Sequence, residues 1–472
     1  MSGVLRLCLV ALAVGMCSCR PEVLRAPRPS VDPAALRYNV TYVREPEHAL
    51  DVEVVLVRGT PRDFFFTRSG GVETVWAYSE TGEEHELTVD RDGVRLPKDT
   101  RFLRYRFPMD ALIRRRGPDF FAGMPQEDAR LIAGRSWLIR PRVAPPDLLV
   151  ELTVTGVNAL LPWQRGPGGV YRLSAEDLVD SGFHGFGGRR CEVRLRDAVL
   201  QVAILGHMTH LKDKELCEWL RRTAEEVRTV RRAFPHPRIT VLVYPVPNRK
   251  TADVFGMVMW SSPPSIALLV GQDAEPSDLV QDWVALHEML HLTHPAILPR
   301  APWISEGLAT YFTEVAKSRS GRQSPEQSWQ ELITGFERGR RQAGGRTMEE
   351  MLEENAPPGI YWVGAYFALL LDVELRRHTG NQRQLDDVLE LLATQGPTST
   401  VSAYGAAVDA VAGRPLFNSL LSEKLRLPAF SGLERLLEEL GVTTTPGGVK
   451  LQLARDSLLR EALDGQRASS AQ

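Results

Sequence analysis

A change of hydrophobic period near residue 205 limits what this chain can fold into. Before it, short β-branched or aromatic runs are separated by turns: DVEVVLV at 51, TVWAYSE at 74, RFLRYRF at 101, DLLVELTVTGV at 147 and CEVRLRD at 191. Such runs read as strands, and Asp92-Gly93 between HELTV and VRLP is a hairpin signal. After it, Leu216, Leu220, Val227, Val230 and Phe234 recur at helical spacing, so DKELCEWLRRTAEEVRTVRRAF predicts an amphipathic helix closed by Pro235. Strands follow at Ile239 to Tyr244 and Ser265 to Val270, and Pro276-Ser277-Asp278 starts a helix running through Thr293 to Pro295. Beyond residue 300 the pattern is almost wholly helical. At 472 residues the chain is too long for one ordinary domain. The expected fold is α+β and multidomain: a β-rich N-terminal domain over 37–205, a mixed domain over 206–380, a helical C-terminal domain over 381–464 and a disordered tail at 465–472.

The first residues, MSGVLRLCLVALAVGMCSC, place Arg6 before an apolar run from Leu7 to Met16. That run has the length of a signal-peptide core and is too short to span a bilayer. It ends in cysteines and resembles a bacterial lipoprotein signal over 1–19, which implies an exported, envelope-located protein lipid-anchored at Cys19, or less favourably Cys17, with a linker over 20–36. Membrane contact is expected only through that anchor. Beyond that segment only Cys191 and Cys217 remain, and in an oxidising compartment they either pair or stay as two buried thiols. A formal net charge of -2 offers no field for a polyanion, and the Arg114 to Arg116 run reads as a solvated loop, so no nucleic-acid partner is expected.

The chemistry centres on HEMLH, residues 287 to 291. Positions i and i+4 of a helix share a face, so His287 and His291 present their rings about one turn apart, as two ligands of a catalytic zinc do. The alternative is a pair of core histidines satisfied by hydrogen bonds, since Trp283, Val284, Leu286, Met289 and Leu290 make the helix strongly apolar. Three protein ligands are required beside an open position. Glu306 supplies a carboxylate among hydrophobic neighbours near the start of a returning helix in RAPWISEGLATYFTEV, and Gly307 beside it permits close helix approach. Glu314 is a rival on a face that Thr313 and Lys317 mark as wetter, and His294 reads as a supporting or surface residue.

The string WISEGLATYF after HEMLH resembles the signature of gluzincin zinc metallopeptidases, and YWVGAYFALLLDVELRRHTGNQRQLDDVL resembles a later segment of the glycyl aminopeptidase family and its relatives. The resemblance implies a thermolysin-like zincin catalytic domain over 206–380, with one Zn2+ held by His287, His291 and Glu306. It further implies Glu288 as the general base and Tyr361 as the donor to the oxyanion, acting on a peptide or protein substrate, with aminopeptidase activity as one form. A non-catalytic envelope lipoprotein that keeps the fold to bind peptides or partners is the second expectation. Val363 stands where the family has lysine, which implies a reshaped cleft. Met259, in FGMVMW, stands where the aminopeptidases of the clan place the glutamate that binds a free N-terminus, leaving Glu275 or Asp273 to take that role from a loop.

Overall fold

The computed structural model describes residues 36–57, 59–67, 71–91, 93–144 and 148–466. The expected signal segment with Cys17 and Cys19, Asp92 and residues 467–472 lie outside the described residues. No helix among the described residues is long and apolar enough to cross a membrane.

The N-terminal part is built on a seven-stranded sheet. Its order is Tyr171–Ser174, Leu149–Thr155, Leu36–Val43, Ala49–Val55, Thr100–Phe107, Thr74–Ser79 and Glu84–Thr88. All pairs are antiparallel except Leu36–Val43 with Leu149–Thr155. Strict alternation puts Leu36, Tyr38, Val40 and Tyr42 inward and Arg37, Asn39 and Thr41 outward, which fixes the register because a one-residue slip would invert every side chain. The buried phenols of Tyr38 and Tyr105 donate to the carbonyls of Ile139 and Trp137, both at 2.7 Å, and so hold the crossing segment 137–139 against the sheet.

Asp90 and Gly93 exchange two backbone hydrogen bonds at 3.2 Å, but the flanking strands do not form the expected hairpin. Glu84–Thr88 pairs with Thr74–Ser79, whereas Val94–Arg95 pairs with Asp63–Phe66 in a separate sheet. A Cβ on Gly93 would stand 2.1 Å from the Phe64 carbonyl oxygen, so the chain is drawn into that second sheet by close backbone contact. The three arginines at 114–116 form the last turn of a helix, Met109–Arg116, rather than a loop; Arg114 pairs with Glu47 and Arg115 with Glu73.

A second, five-stranded sheet carries the rest. We label its strands β1 (Arg189–Arg194), β2 (Val199–Ile204), β3 (Arg238–Val246), β4 (Phe255–Met259) and β5 (Ser265–Gly271); their spatial order is β1-β2-β3-β5-β4. β1 and β2, which the periodicity grouped with the N-terminal strands, pair into this sheet through β2 and β3 in parallel register. Helix α1 (Asp213–Val227) joins β2 to β3 and is tied to β1 by a Cys191–Cys217 disulfide. One sheet face meets the helices; Leu242, Ala267 and Met259 on the other pack against Leu131 and Phe183 of a small four-stranded sheet. Burial on both faces explains why β3 and β5 read as continuous apolar runs.

The helix expected from 276 to 293 is two: α2 (Pro276–Gln281) and α3 (Val284–His291). Asp282 leaves the helical region at φ -59°, ψ 132°, and its buried carboxylate accepts the Val284 and Ala285 N–H groups at 3.1 Å, starting a second helix in a new direction. Then come α4 (Pro302–Arg319), α5 (Pro325–Ala343) and α6 (Gly359–His378). The C-terminal part is helical apart from the two-residue strand Thr398–Ser399, paired with Ala296–Ile297, and a hairpin, Val442–Thr445 with Gly448–Leu451, whose threonine run and Pro446-Gly447 turn are β signals within a helical stretch.

Where the two sheet systems meet, His184 is fully enclosed. Trp137 donates its indole N–H to His184 Nδ1 at 3.1 Å, and His184 Nε2 donates to the Ser181 carbonyl at 2.8 Å. Burial lowers the imidazole from its ordinary 6.5 to about 3. The unfolded chain therefore binds a proton here that the folded chain refuses, and stability is lost as pH falls from 6.5 towards about 3 and is insensitive to this group above 6.5. Denaturant midpoints measured down that range are expected to fall more steeply for the wild type than for His184→Gln, which has no proton to take up.

Candidate metal centre

Three side chains from two helices converge. His287 and His291 lie on α3 with ring centroids 4.8 Å apart. Their Nε2 atoms stand 3.1 and 3.2 Å from the same oxygen, Glu306 Oε2, on α4. The ligand atoms of the three residues lie within 4.8 Å of one another. Burial alone would raise the Glu306 carboxyl, but His291 and His287 beside it outweigh that and hold it below the usual carboxylate range. Two imidazole nitrogens and a carboxylate oxygen are the donor set of a His2Glu catalytic zinc site, and the spacing fits one ion.

The approach of α4 to α6 makes this possible. A Cβ on Gly307 would lie 2.4 Å from the Gly364 carbonyl carbon, and one on Gly364 would lie 1.9 Å from the Trp303 carbonyl oxygen. The two helices therefore touch backbone to backbone, next to Glu306 on one and one turn from Tyr361 on the other. The Tyr361 ring lies 6.4 Å from that of His287, at 29°. Burial, with the charges of Glu306 and Glu288, raises its phenol to about 12, which keeps it a hydrogen-bond donor.

Glu288 is buried beside the cluster. Burial pushes its carboxyl up to about 7, with Glu306 adding to the rise and His291 and the Val258 amide opposing it. It lies directly against edge strand β4: a Cβ on Gly256 would come within 2.4 Å of Glu288 Cγ. Glycine at 256 is thus required for the carboxylate to sit where it does.

A hydrogen-bond chain behind His291 sets its tautomer. His294, buried rather than at the surface, places Nδ1 2.8 Å from the Pro295 carbonyl, so that nitrogen carries the proton and Nε2 is an acceptor. Ser305 Oγ lies 3.4 Å from His294 Nε2 and 3.3 Å from His291 Nδ1. The hydroxyl donates to the first and accepts from the second, which leaves His291 Nε2 as the ring nitrogen turned to Glu306 and to any metal held there. His287 Nδ1, by contrast, is buried with no hydrogen-bond partner. The N-terminus of α3 is held from below: Arg322 donates to the Asp282 carbonyl at 3.0 Å and meets Glu226 of α1 at 3.3 Å.

The structure brings His287, Glu288, His291, Glu306 and Tyr361 together. Glu314 is elsewhere, and its face is buried rather than wet: its carboxylate accepts from Lys317 and Gln323, both at 2.7 Å. Met259 is packed under the sheet, Asp273 accepts from Thr209 at 2.7 Å, and Glu275 opens α2 while facing His210 at 3.6 Å. Val363 is buried. Ser305 and Asp282 were overlooked in the sequence; an aspartate just before an apolar helical run is an N-cap signal that could have revealed Asp282, whereas nothing local marks Ser305.

No protein-family model matches the sequence, and no curated protein matches it. Among solved structures, an aminopeptidase N family protein from Idiomarina loihiensis superposes with a TM-score of 0.67 at 17% identity, covering 86% of this chain and 78% of that one. Native yeast LTA4 hydrolase does so with a TM-score of 0.50 at 10% identity, covering 89% and 75%. An M1 zinc metallopeptidase from Deinococcus radiodurans has a TM-score of 0.47 at 15% identity, covering 84% and 95%.

If the helix contact governs the site, Gly364→Ala should cost about 1–3 kcal/mol of stability, as overpacking typically does, and should lower zinc uptake in the same sample. Urea unfolding and metal analysis of the dialysed variant would check this; wild-type stability would remove the contact from the explanation. At these identities the likeness is one of fold: this chain has the multidomain fold of the aminopeptidase N family protein, with a β-rich N-terminal part and a helical C-terminal part.

Proposed function

We propose that the chain is a zinc-dependent metallopeptidase that hydrolyses peptide bonds. The observation that carries this is the convergence of His287 and His291 on one oxygen of Glu306, with Glu288 and Tyr361 alongside. Bound at His287, His291 and Glu306, a zinc ion would supply acidification of water and polarisation of the scissile carbonyl.

The chain's own groups supply the rest. Glu288, buried against β4, accepts a proton from the attacking water and returns it to the leaving amine, as a carboxylate general base does. Tyr361, kept protonated, donates a hydrogen bond to the carbonyl oxygen as negative charge develops on it. The Ser305 chain behind His291 holds that ring in the ligating tautomer. The second reading, a peptide-binding lipoprotein without catalysis, would not require a general base, and the retention of Glu288 in a buried position favours the enzyme.

An aminopeptidase needs an anchor for the free amine. Met259, Asp273 and Glu275 do not line the cavity that His287 lines, so none of the three supplies that anchor there. Export and lipid anchoring at Cys19 belong to the same proposal, and the Cys191–Cys217 disulfide supports an oxidising compartment.

Glu288→Gln is expected to bind zinc as the wild type does while losing hydrolysis by at least about a hundredfold, the scale of general-base catalysis. Glu306→Ala should fail to retain zinc on dialysis. Tyr361→Phe should keep the metal and lower kcat by about a hundredfold, as removal of one oxyanion donor does. Full activity in Glu288→Gln would refute the mechanism. Free and acetylated peptides compared side by side would separate the modes of cleavage: digestion of the acetylated set indicates an endopeptidase, and single-residue removal from free termini only would restore the aminopeptidase form.

A further inference from the structure

The cavity that His287 and Tyr361 line has walls that the chemistry above does not use. Its volume is about 590 Å³, and it is lined by His287 and Tyr361 together with residues of α2, α4 and α5. Two tryptophans also line it. Trp283 is 43% exposed and stands edge-on to His287, with ring centroids 5.6 Å apart. Trp362 follows Tyr361 on α6 and is partly exposed.

The placement of Trp362 is built into α5. A Cβ on Gly335 would stand 2.0 Å from the indole ring, and one on Gly339 would stand 2.7 Å from Trp362 Cβ. Phe336 meets the indole edge-on at 6.2 Å. After proline, glycine is the least favourable residue in a helix interior. Two of them one turn apart give α6 room to lay this ring against α5, where part of it faces the cavity. Val280, 53% exposed, and Pro358 extend the apolar lining.

Charge does not explain the lining. Glu314 is neutralised by Lys317 at 2.7 Å and Arg322 by Glu226 at 3.3 Å, while exposed Glu331 and Arg338 carry opposite signs two turns apart on α5. What distinguishes the cavity is exposed aromatic surface gathered in a concave site beside reactive groups, the character of a ligand-binding surface.

We propose that this cavity is a specificity pocket that takes a bulky aromatic side chain, from a residue flanking the scissile bond, against Trp283 and Trp362. The proposal rests on the peptidase reading and deepens it by naming the substrate class. Flat rings favour one another in offset or edge-to-face packing, so an aromatic residue gains contacts here that alanine or a charged residue cannot make.

The test uses the zinc-loaded full chain and acetylated peptides that differ only in the residue before or after the cleaved bond: phenylalanine, tyrosine, tryptophan, alanine, aspartate or lysine. Aromatic peptides are expected to exceed the alanine peptide in kcat/KM by at least about tenfold at one of the two positions, the scale of hydrophobic-pocket discrimination. Trp362→Ala and Trp283→Ala should each reduce that ratio. Gly335→Ala, which drives the indole off α5 without removing it, should reduce it too. The ratio is taken within each variant, so partial loss of fold or metal cancels. Binding of the same peptides to zinc-loaded Glu288→Gln reads recognition without turnover. Cleavage with equal rates for aromatic and alanine peptides, or a ratio unchanged in both tryptophan variants, overturns the pocket and leaves the peptidase standing. No cleavage by the wild type, with aromatic-selective binding to Glu288→Gln, overturns the peptidase and keeps an aromatic-binding pocket; no cleavage and no selective binding overturns both.

Discussion

The backbone contact between Gly307 and Gly364 is the constraint on which the site depends. Helices carrying ordinary side chains pack with axes 8–10 Å apart, as a general rule. Here the absence of both Cβ atoms lets α4 and α6 close until Gly364 lies against the Trp303 carbonyl. Glu306 precedes one glycine and Tyr361 stands one turn before the other, so a single contact sets the third ligand and the phenol relative to each other. Separating the helices by one methyl group would move both at once.

Electrostatics supplies the second level of organisation. Glu306 is a half-buried carboxylate held in its charged form by the two imidazoles it faces, whereas Glu288, buried against β4, is raised by burial. Environments that push two nearby carboxyls in opposite directions divide their labour, one suited to holding a cation and the other to moving a proton. Around them Ser305 links His291 to His294, Asp282 caps α3, and Arg322 ties that cap to α1. Rigid support of this kind is what precise ligand geometry requires.

The likeness to the aminopeptidase N family protein and to yeast LTA4 hydrolase extends over most of this chain at 17% identity or less. A fold kept at that distance leaves room for new pocket walls. Met259 is turned into the core beneath the sheet, while α5 has two glycines that seat Trp362 beside Tyr361. Trp362 lines the cavity beside His287 and Tyr361, whereas Met259 does not reach it.

Much of this was legible in the sequence because it is local. Period-two and helical patterns marked the strands at 49–55, 74–79, 100–107 and 149–155 and the helix from Asp213, and the i, i+4 histidines with Glu306 and Gly307 marked the cluster, since side-chain direction along a helix follows from spacing alone. What the sequence could not settle depends on contacts between distant segments. The expected single helix over 276–293 breaks at Asp282 because a cap and a cation from residue 322 meet there; β1 and β2 join the second sheet because β3 pairs with β2; Glu314 is buried because Gln323 and Lys317 enclose it. The pairing of Cys191 with Cys217, open on spacing alone, follows from α1 lying against β1. The sequence by itself determined which residues could bind a metal and move a proton. Only the tertiary structure decided that they meet, because that depends on two glycines 57 positions apart arriving at the same place.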